Sequence, residues 1–342
     1  GRVVVAAADQ ADYQDDCSCP CSCEDGPPIA MASLPSAESF LPIYSTASLP
    51  HLAPRMQATL PADAPLADRH DVRLTLDGVA SDIRSYSASN RQPGQDVQFA
   101  APVFAPDLPT GRHPFTAVID AVGGDSVTRQ TVAGSTLVVN RLRTEFGPGF
   151  WPAALQRLLI EPNGVTLLAG DGSHAFFAAD GPDFTTPPGW FQRLQAVAGG
   201  YSLTDRFGDA VLFNAAGLMT QRRDRDANTV TLGYLDADAD GLADELATIT
   251  DPFGRVTTYA YVNGFLRTIT DHAGRATTYL WNSSFTQLTI TEPDPDAGGP
   301  LAAPATTLSF DAQGLLREVR GAGRIWGPPC AVKRHGSSAG AS

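Results

Sequence analysis

The densest run of ligand-type side chains in the sequence is DADADGLADEL, residues 236–246. Asp236, Asp238 and Asp240 occupy alternate positions ahead of Gly241, a spacing that turns three carboxylates toward a common hard cation. The glycine permits a sharp turn, Leu242 offers a backbone carbonyl, and Asp244 adds a fourth carboxylate, directly or through water. Counted from Asp236, the twelfth position is Ala247, where an EF-hand loop carries a bidentate Glu. Glu245 is the nearest substitute, with altered geometry. The expected ion is calcium, and its expected role is to stiffen the loop, because clustered carboxylates repel one another without a cation. A solvated acidic hairpin tip is the alternative.

A second constellation is DDCSCPCSCED, which holds Cys17, Cys19, Cys21 and Cys23, with Cys330 far away. In an extended segment, residues two apart share a face, which aligns all four sulfurs. A soft ion such as zinc or copper(I) would suit them, but the spacing matches no zinc finger. An exposed segment that oxidises or cross-links is the other reading.

Catalytic arrangements are missing from the sequence. The six histidines are scattered with no HExxH pair, and Lys333 is the single lysine. Ser173 and His174 are adjacent, so on a strand they point to opposite faces. Asp294 and Asp296 sit in a proline-rich turn, where solvated carboxylates are ordinary. No nucleophile elbow, phosphate loop or dinucleotide fingerprint occurs. No catalytic residue is nominated, and the reading is non-enzymatic.

The chain has 342 residues, 43% of them apolar and 18% charged, with 32 Gly and 27 Pro. Such a composition buries a core readily but disfavours long helices, so short strands and an all-β fold are expected. A net charge of -13 works against nucleic-acid binding, which needs a basic surface. No run of about 18 apolar residues marks a membrane span. The chain begins at Gly1 and VVVAAA is too short for a signal-peptide core, so it reads as a fragment or processed product.

Composition divides the chain into five parts. Residues 1–68, with the cysteines and a Pro/Ala/Ser-rich run, read as a disordered linker. At DVRLTLDGV a two-residue apolar period begins, and residues 69–143 read as a small antiparallel β-sandwich. Residues 144–200 read as the lead-in to a repeat array, with PAALQRLLI as the one helix-period piece and Asn-Gly and Asp-Gly turns elsewhere. Residues 201–324 form the array, and 325–342 read as a disordered tail.

Inside the array Gly254 and Gly274 stand twenty residues apart, each closing an Asp-x-x-Gly turn. Runs of about six residues rich in Thr, Val, Tyr and Leu separate the turns, so one unit is two strands and two turns. A hairpin of this size cannot bury its own face, so units must stack. Stacking is expected to bring Tyr259 over Tyr279 and Tyr261 over Trp281 as ladders of rings.

The segment DPFGRVTTYAYVNGFLRTITDHAGRATTYLW resembles the YD-repeat or Rhs-type proteins, a group that includes bacterial toxin carriers and animal teneurins. The resemblance covers residues 201–324 and extends to the lead-in. It implies strands that spiral into a long sheet closing as a hollow shell, often around a toxic C-terminal segment released by self-cleavage. Four or five repeat units are too few to close a shell, IWGPPCAVKRHGSSAGAS is too short for a toxin domain, and no autoproteolysis segment follows the repeats. The expected molecule is a non-enzymatic exported scaffold, secreted or at the cell surface. As part of a YD-repeat shell it would present or enclose a C-terminal effector in cell–cell contact or competition. Its expected partners are the rest of its own longer chain and a cell-surface protein or glycan. The alternative is a calcium-stabilised adhesin or carbohydrate-binding surface protein.

Overall fold

Alternating apolar and polar residues make strands, and strands are the regular structure of the described residues. The computed structural model describes residues 38–45, 51–60, 62, 66–142, 144–296, 299, 301–312, 314–321 and 324–326. Among them there is no helix, so none that is long and apolar enough to cross a membrane. Two compact units meet at Arg141/Leu142, close to the boundary expected at 143.

The first unit contains β1 (Glu38–Ser45), β2 (His51–Leu52), β3 (Arg55–Thr59), β4 (Arg69–Leu76) and β5 (Val79–Ala80). It continues with β6 (Arg84–Ser87), β7 (Asp96–Ala100), β8 (Val103–Phe104), β9 (Gly111–Gly123) and β10 (Ser126–Asn140). The main sheet runs β1-β10-β9-β4-β5, with β6 also on β4, while β2-β8 and β3-β7 form two small pairs. The period-two pattern of β4 buries His70, Val72, Leu74 and Leu76. These pack with Leu52, Met56, Val97, Phe99 and Val103 of the small pairs into one core.

Two expectations are corrected here. β1 runs parallel to β10, so the main sheet is not wholly antiparallel. The linker expected through residue 68 is too long, because Leu52, Met56, Ala58 and Leu60 are buried in the core. Their alternation is present in the sequence, but Pro54 and the small Ala58 dilute it below recognition. The cysteine cluster and Cys330 lie outside the described residues.

The second unit is one sheet of seventeen strands. Its first strands are β11 (Gln156–Glu161), β12 (Gly164–Ala169), β13 (His174–Asp180), β14 (Asp183–Thr185), β15 (Arg193–Val197) and β16 (Gly200–Thr204). Then come β17 (Ala210–Asn214), β18 (Met219–Arg223), β19 (Thr229–Leu235), β20 (Glu245–Thr250), β21 (Val256–Val262) and β22 (Phe265–Thr270). The last are β23 (Ala276–Trp281), β24 (Gln287–Thr291), β25 (Ala305–Phe310), β26 (Leu316–Gly321) and β27 (Arg324–Trp326). Each strand pairs antiparallel with the next, in sequence order. The helix-period piece PAALQRLLI is therefore a strand where it matters: β11 takes residues 156–161 and pairs with β12 across a two-residue Pro162-Asn163 turn.

Asp-x-x-Gly-Arg is a single turn device. Asp271 Oδ1 accepts the backbone N–H groups of Ala273 and Arg275, both at 2.9 Å, and its Oδ2 accepts Arg275 Nε at 2.7 Å. Asp251 does the same with Phe253 and Arg255. Gly254 and Gly274 follow at φ 79° and 78°, a region where a Cβ is strained. The backbone N–H and guanidinium of Arg275 hold the Asp271 carboxyl below the usual carboxylate range.

The sheet curls. Register shifts fall at Leu212/Phe213, Gly233/Tyr234, Ala260/Tyr261 and Ser309/Phe310, and such bulges increase local twist and bend. The curl brings the free edge of β11 onto the β17–β18 turn, where Leu158 N donates to Gly217 O at 2.8 Å and Arg157 bridges Leu218. The concave side carries a column of apolar side chains, among them Leu158, Phe177, Leu194, Leu203, Phe213 and Leu232. Residues 144–151 thread against it: Glu145 O accepts Leu266 N at 2.7 Å, and Phe150 packs edge-on against Trp281 and Phe310.

The expected ring ladders do not form. Twenty residues are two strands, so equivalent tyrosines stand about 9.5 Å apart with a strand between them. Tyr259 faces Ile269 on that intervening strand. Trp281 instead meets Phe150, Phe285 and Phe310. What does repeat is a hydrogen bond from the bulge tyrosine back to the preceding strand: Tyr234 Oη to Met219 O and Tyr261 Oη to Leu246 O, each 2.7 Å.

Gly217 is needed twice, for φ 81° and because an added Cβ would lie 2.1 Å from Leu158 O. Gly217→Ala should lower the unfolding free energy by about 2–4 kcal/mol, combining backbone strain with a displaced edge. Gly254→Ala, whose Cβ would meet nothing within 4 Å, should cost less. Urea unfolding of the two variants checks the order; equal losses would mean that the β11 edge contact carries little weight.

Candidate metal centre

The acidic loop joins β19 to β20, interrupting the twenty-residue period where Leu235 leaves the sheet and Glu245 re-enters it. Its carboxylates first organise their own backbone. Asp236 Oδ2 accepts Gly241 N at 3.0 Å, Asp238 Oδ1 accepts Asp240 N at 3.1 Å, and Asp240 Oδ1 accepts Leu242 N at 2.8 Å. Glu245 Oε2 accepts Ala237 N at 2.8 Å, which closes the loop across its base. Ala239 and Gly241 take positive φ, 64° and 90°, so the chain reverses twice within four residues. The next hairpin leans on the loop: a Cβ on Gly264 would come within 3.2 Å of Asp238 Cβ.

Of the six residues expected at the ion, three converge. Carboxylate oxygens of Asp236, Asp238 and Glu245 all lie within 4.8 Å of one another. Two oxygens bound to one calcium at about 2.4 Å are at most about 4.8 Å apart, so the spacing fits a shared ion. Each of the three carboxylates spends one oxygen on the loop backbone and has a second beside it. Asp240 serves the N–H of Leu242, and Asp244 forms a 3.0 Å ion pair with Arg157 on β11. Neither stands in the converging group. The alternate spacing placed four aspartates on one loop, but a two-residue period holds only for extended backbone, and the reversals at Ala239 and Gly241 turn Asp240 away.

Below the loop lies an acid that the sequence does not advertise. Burial pushes the Glu145 carboxyl up to about 7 against the pull of Arg157, with Asp244 and Glu245 adding to the rise. Burial likewise raises Glu245, and it raises the phenols of Tyr234 and Tyr261, which face the same group from β19 and β21. Arg157 is 87 residues from Asp244 in the chain, and no local pattern announces either it or Glu145.

The chemistry available is hard-cation binding by three carboxylates, with water or backbone carbonyls completing the shell. No nucleophile and base are brought together here.

Glu145 sets a pH dependence. Its folded value, about 7, lies above its ordinary 4.5, so its contribution to stability is complete below pH 4.5 and is lost as pH rises through 7. Glu145→Gln should flatten the decline in melting temperature across that window; an unchanged slope would show that the acid is solvated. No family model matches the chain and no curated protein matches it either, so its function rests on the fold and on this site.

Proposed function

We propose that this chain is a wall segment: a non-enzymatic scaffold of the YD-repeat type, exported from the cell, that presents or encloses an effector carried elsewhere on the same longer polypeptide. The observation that carries the reading is the seventeen-strand sheet that curls until its first edge meets the β17–β18 turn. A sheet that grows by similar two-strand units can lengthen without changing its chemistry, which suits a container better than a catalyst. Its turns, bulge tyrosines and Asp-Arg clasps all act on the sheet itself.

The test is the native polypeptide in cells and medium. The wall reading expects a chain heavier than this sequence, with a distinct segment that proteases reach only after the sheet is unfolded. A native product of about the mass of this chain, with every segment equally open to protease, would overturn it.

A second reading, a calcium-stabilised adhesin, draws on the converging carboxylates of Asp236, Asp238 and Glu245. In both readings calcium stiffens the β19–β20 loop. Millimolar calcium should raise the melting temperature by about 2–6 °C. The pair Asp236→Asn with Asp238→Asn should abolish that rise while leaving the calcium-free protein equally or more stable, because two like charges are removed. Scanning calorimetry with calcium and with magnesium decides it, and no rise in the parent protein would end the calcium assignment.

A further inference from the structure

A cleft of about 230 Å³ opens at one end of the early strands, between the β16–β17 turn and the segment leading into β11. Its polar wall comprises Gln156, Gln192, Asp205, Asp209 and Arg222, and its apolar wall includes Leu203 and Met219. We propose that this cleft binds a single neutral sugar ring, such as the terminal residue of a glycan.

Three observations carry the assignment. The first is the mixture of partners. A sugar hydroxyl both donates and accepts, and the cleft supplies carboxylate and amide acceptors beside guanidinium and amide donors. Asp205 Oδ1 accepts Phe207 N at 2.8 Å and Asp209 N at 3.0 Å, and Asp209 Oδ1 accepts Arg225 N at 3.1 Å. One oxygen of each carboxylate thus fixes the turn, and the other remains for a ligand. Arg222 makes no ion pair among the described residues, although two carboxylates share its cleft.

The second is an unmet acceptor. Gln156 Oε1 is closed off from solvent and receives no hydrogen bond among the described groups. Such a group carries a desolvation penalty, and a turn of the Gln156 side chain toward the cleft is what lets a ligand hydroxyl relieve it.

The third is size and surface. The cleft is smaller than the roughly 300–1,000 Å³ of pockets for drug-sized ligands, so it suits one ring. Leu203 and Met219, 1% and 5% exposed, border the cleft as core side chains and leave the polar groups to make the contacts. Phe191 and Phe207 flank lining residues in the chain, remain 73% and 63% exposed, and hold Arg206 at 5.4 and 4.7 Å from their ring centres. Two carboxylates against one guanidinium repel an anionic sugar on balance, and a cationic ligand is the competitor that the test must exclude.

Saturation-transfer NMR with methyl glucoside, galactoside and mannoside tests this, with a methyl glucuronide and N-acetyl-lysine amide as charged probes. At least one neutral glycoside should bind with a Kd of ~1 mM. Gln192→Ala and Arg222→Met, at residues outside the core, should each weaken it about tenfold with the melting temperature unchanged. Absence of binding by all three neutral glycosides would overturn the proposal, as would binding of the lysine probe alone, which would mark a site for a basic side chain. Either failure leaves the wall reading intact, because that reading does not use this cleft.

Discussion

A curled sheet has a concave face that its own hairpins cannot fill, and everything in the second unit depends on how that face is packed. Strand pairing satisfies the backbone of seventeen strands without deciding whether the sheet lies flat or bends. The bend is stabilised by what it encloses. Phe146, Phe150 and Trp151 enter from the lead-in segment, and Trp281 and Phe310 meet them from strands more than a hundred residues later. The approach is close enough that Gly147 has no room for a Cβ, which would fall 2.4 Å from Trp281 Nε1. Such a segment converts a growing ribbon into a curl of set radius, since residues 144–151 admit only one spacing between the strands on either side.

This constraint explains which parts of the fold are legible in the sequence. The turns are local, so Asp271, Gly274 and Arg275 announce their hairpin within five residues, and the all-β class follows from many such turns. The column of inward side chains is legible too, because its period is two within each strand. The curl is not legible, because it rests on Leu158 meeting Gly217 and on Glu145 meeting Leu266, pairs with no shared local pattern. Ring ladders are a natural inference from a twenty-residue period, yet the period counts two strands. The intervening strand places Ile269 where the neighbouring ring was expected. In the first unit the same logic hides β2 and β3: short strands with a proline between them have too few periods to stand out, and only the core they cover reveals them.

The candidate metal centre divides the same way. The types and the loop were readable at Asp236 and Asp238, and Glu245 was recognisable as a substitute for a missing twelfth ligand. Which of the carboxylates converge was not readable, because the path of the loop depends on positive φ at Ala239 and Gly241. The diversion of Asp244 to Arg157 was equally hidden, since it requires the curl to bring β11 beside the loop.

The loop is therefore more than an insertion at a hairpin tip. Asp244 ties it to β11, Glu245 begins β20, and the β21–β22 turn rests against Asp238. Three stretches of sheet, one of them 87 residues earlier in the chain, converge on one acidic segment beside the buried Glu145. Charge in that place acts on the curl itself. The five carboxylates of the loop, with the single guanidinium of Arg157, repel one another, whereas a cation bound by Asp236, Asp238 and Glu245 would draw the β19 end of the loop onto the start of β20. The period of the repeat breaks where Arg157 of β11 meets Asp244, and a segment outside the repeat carries the carboxylate of that long-range contact.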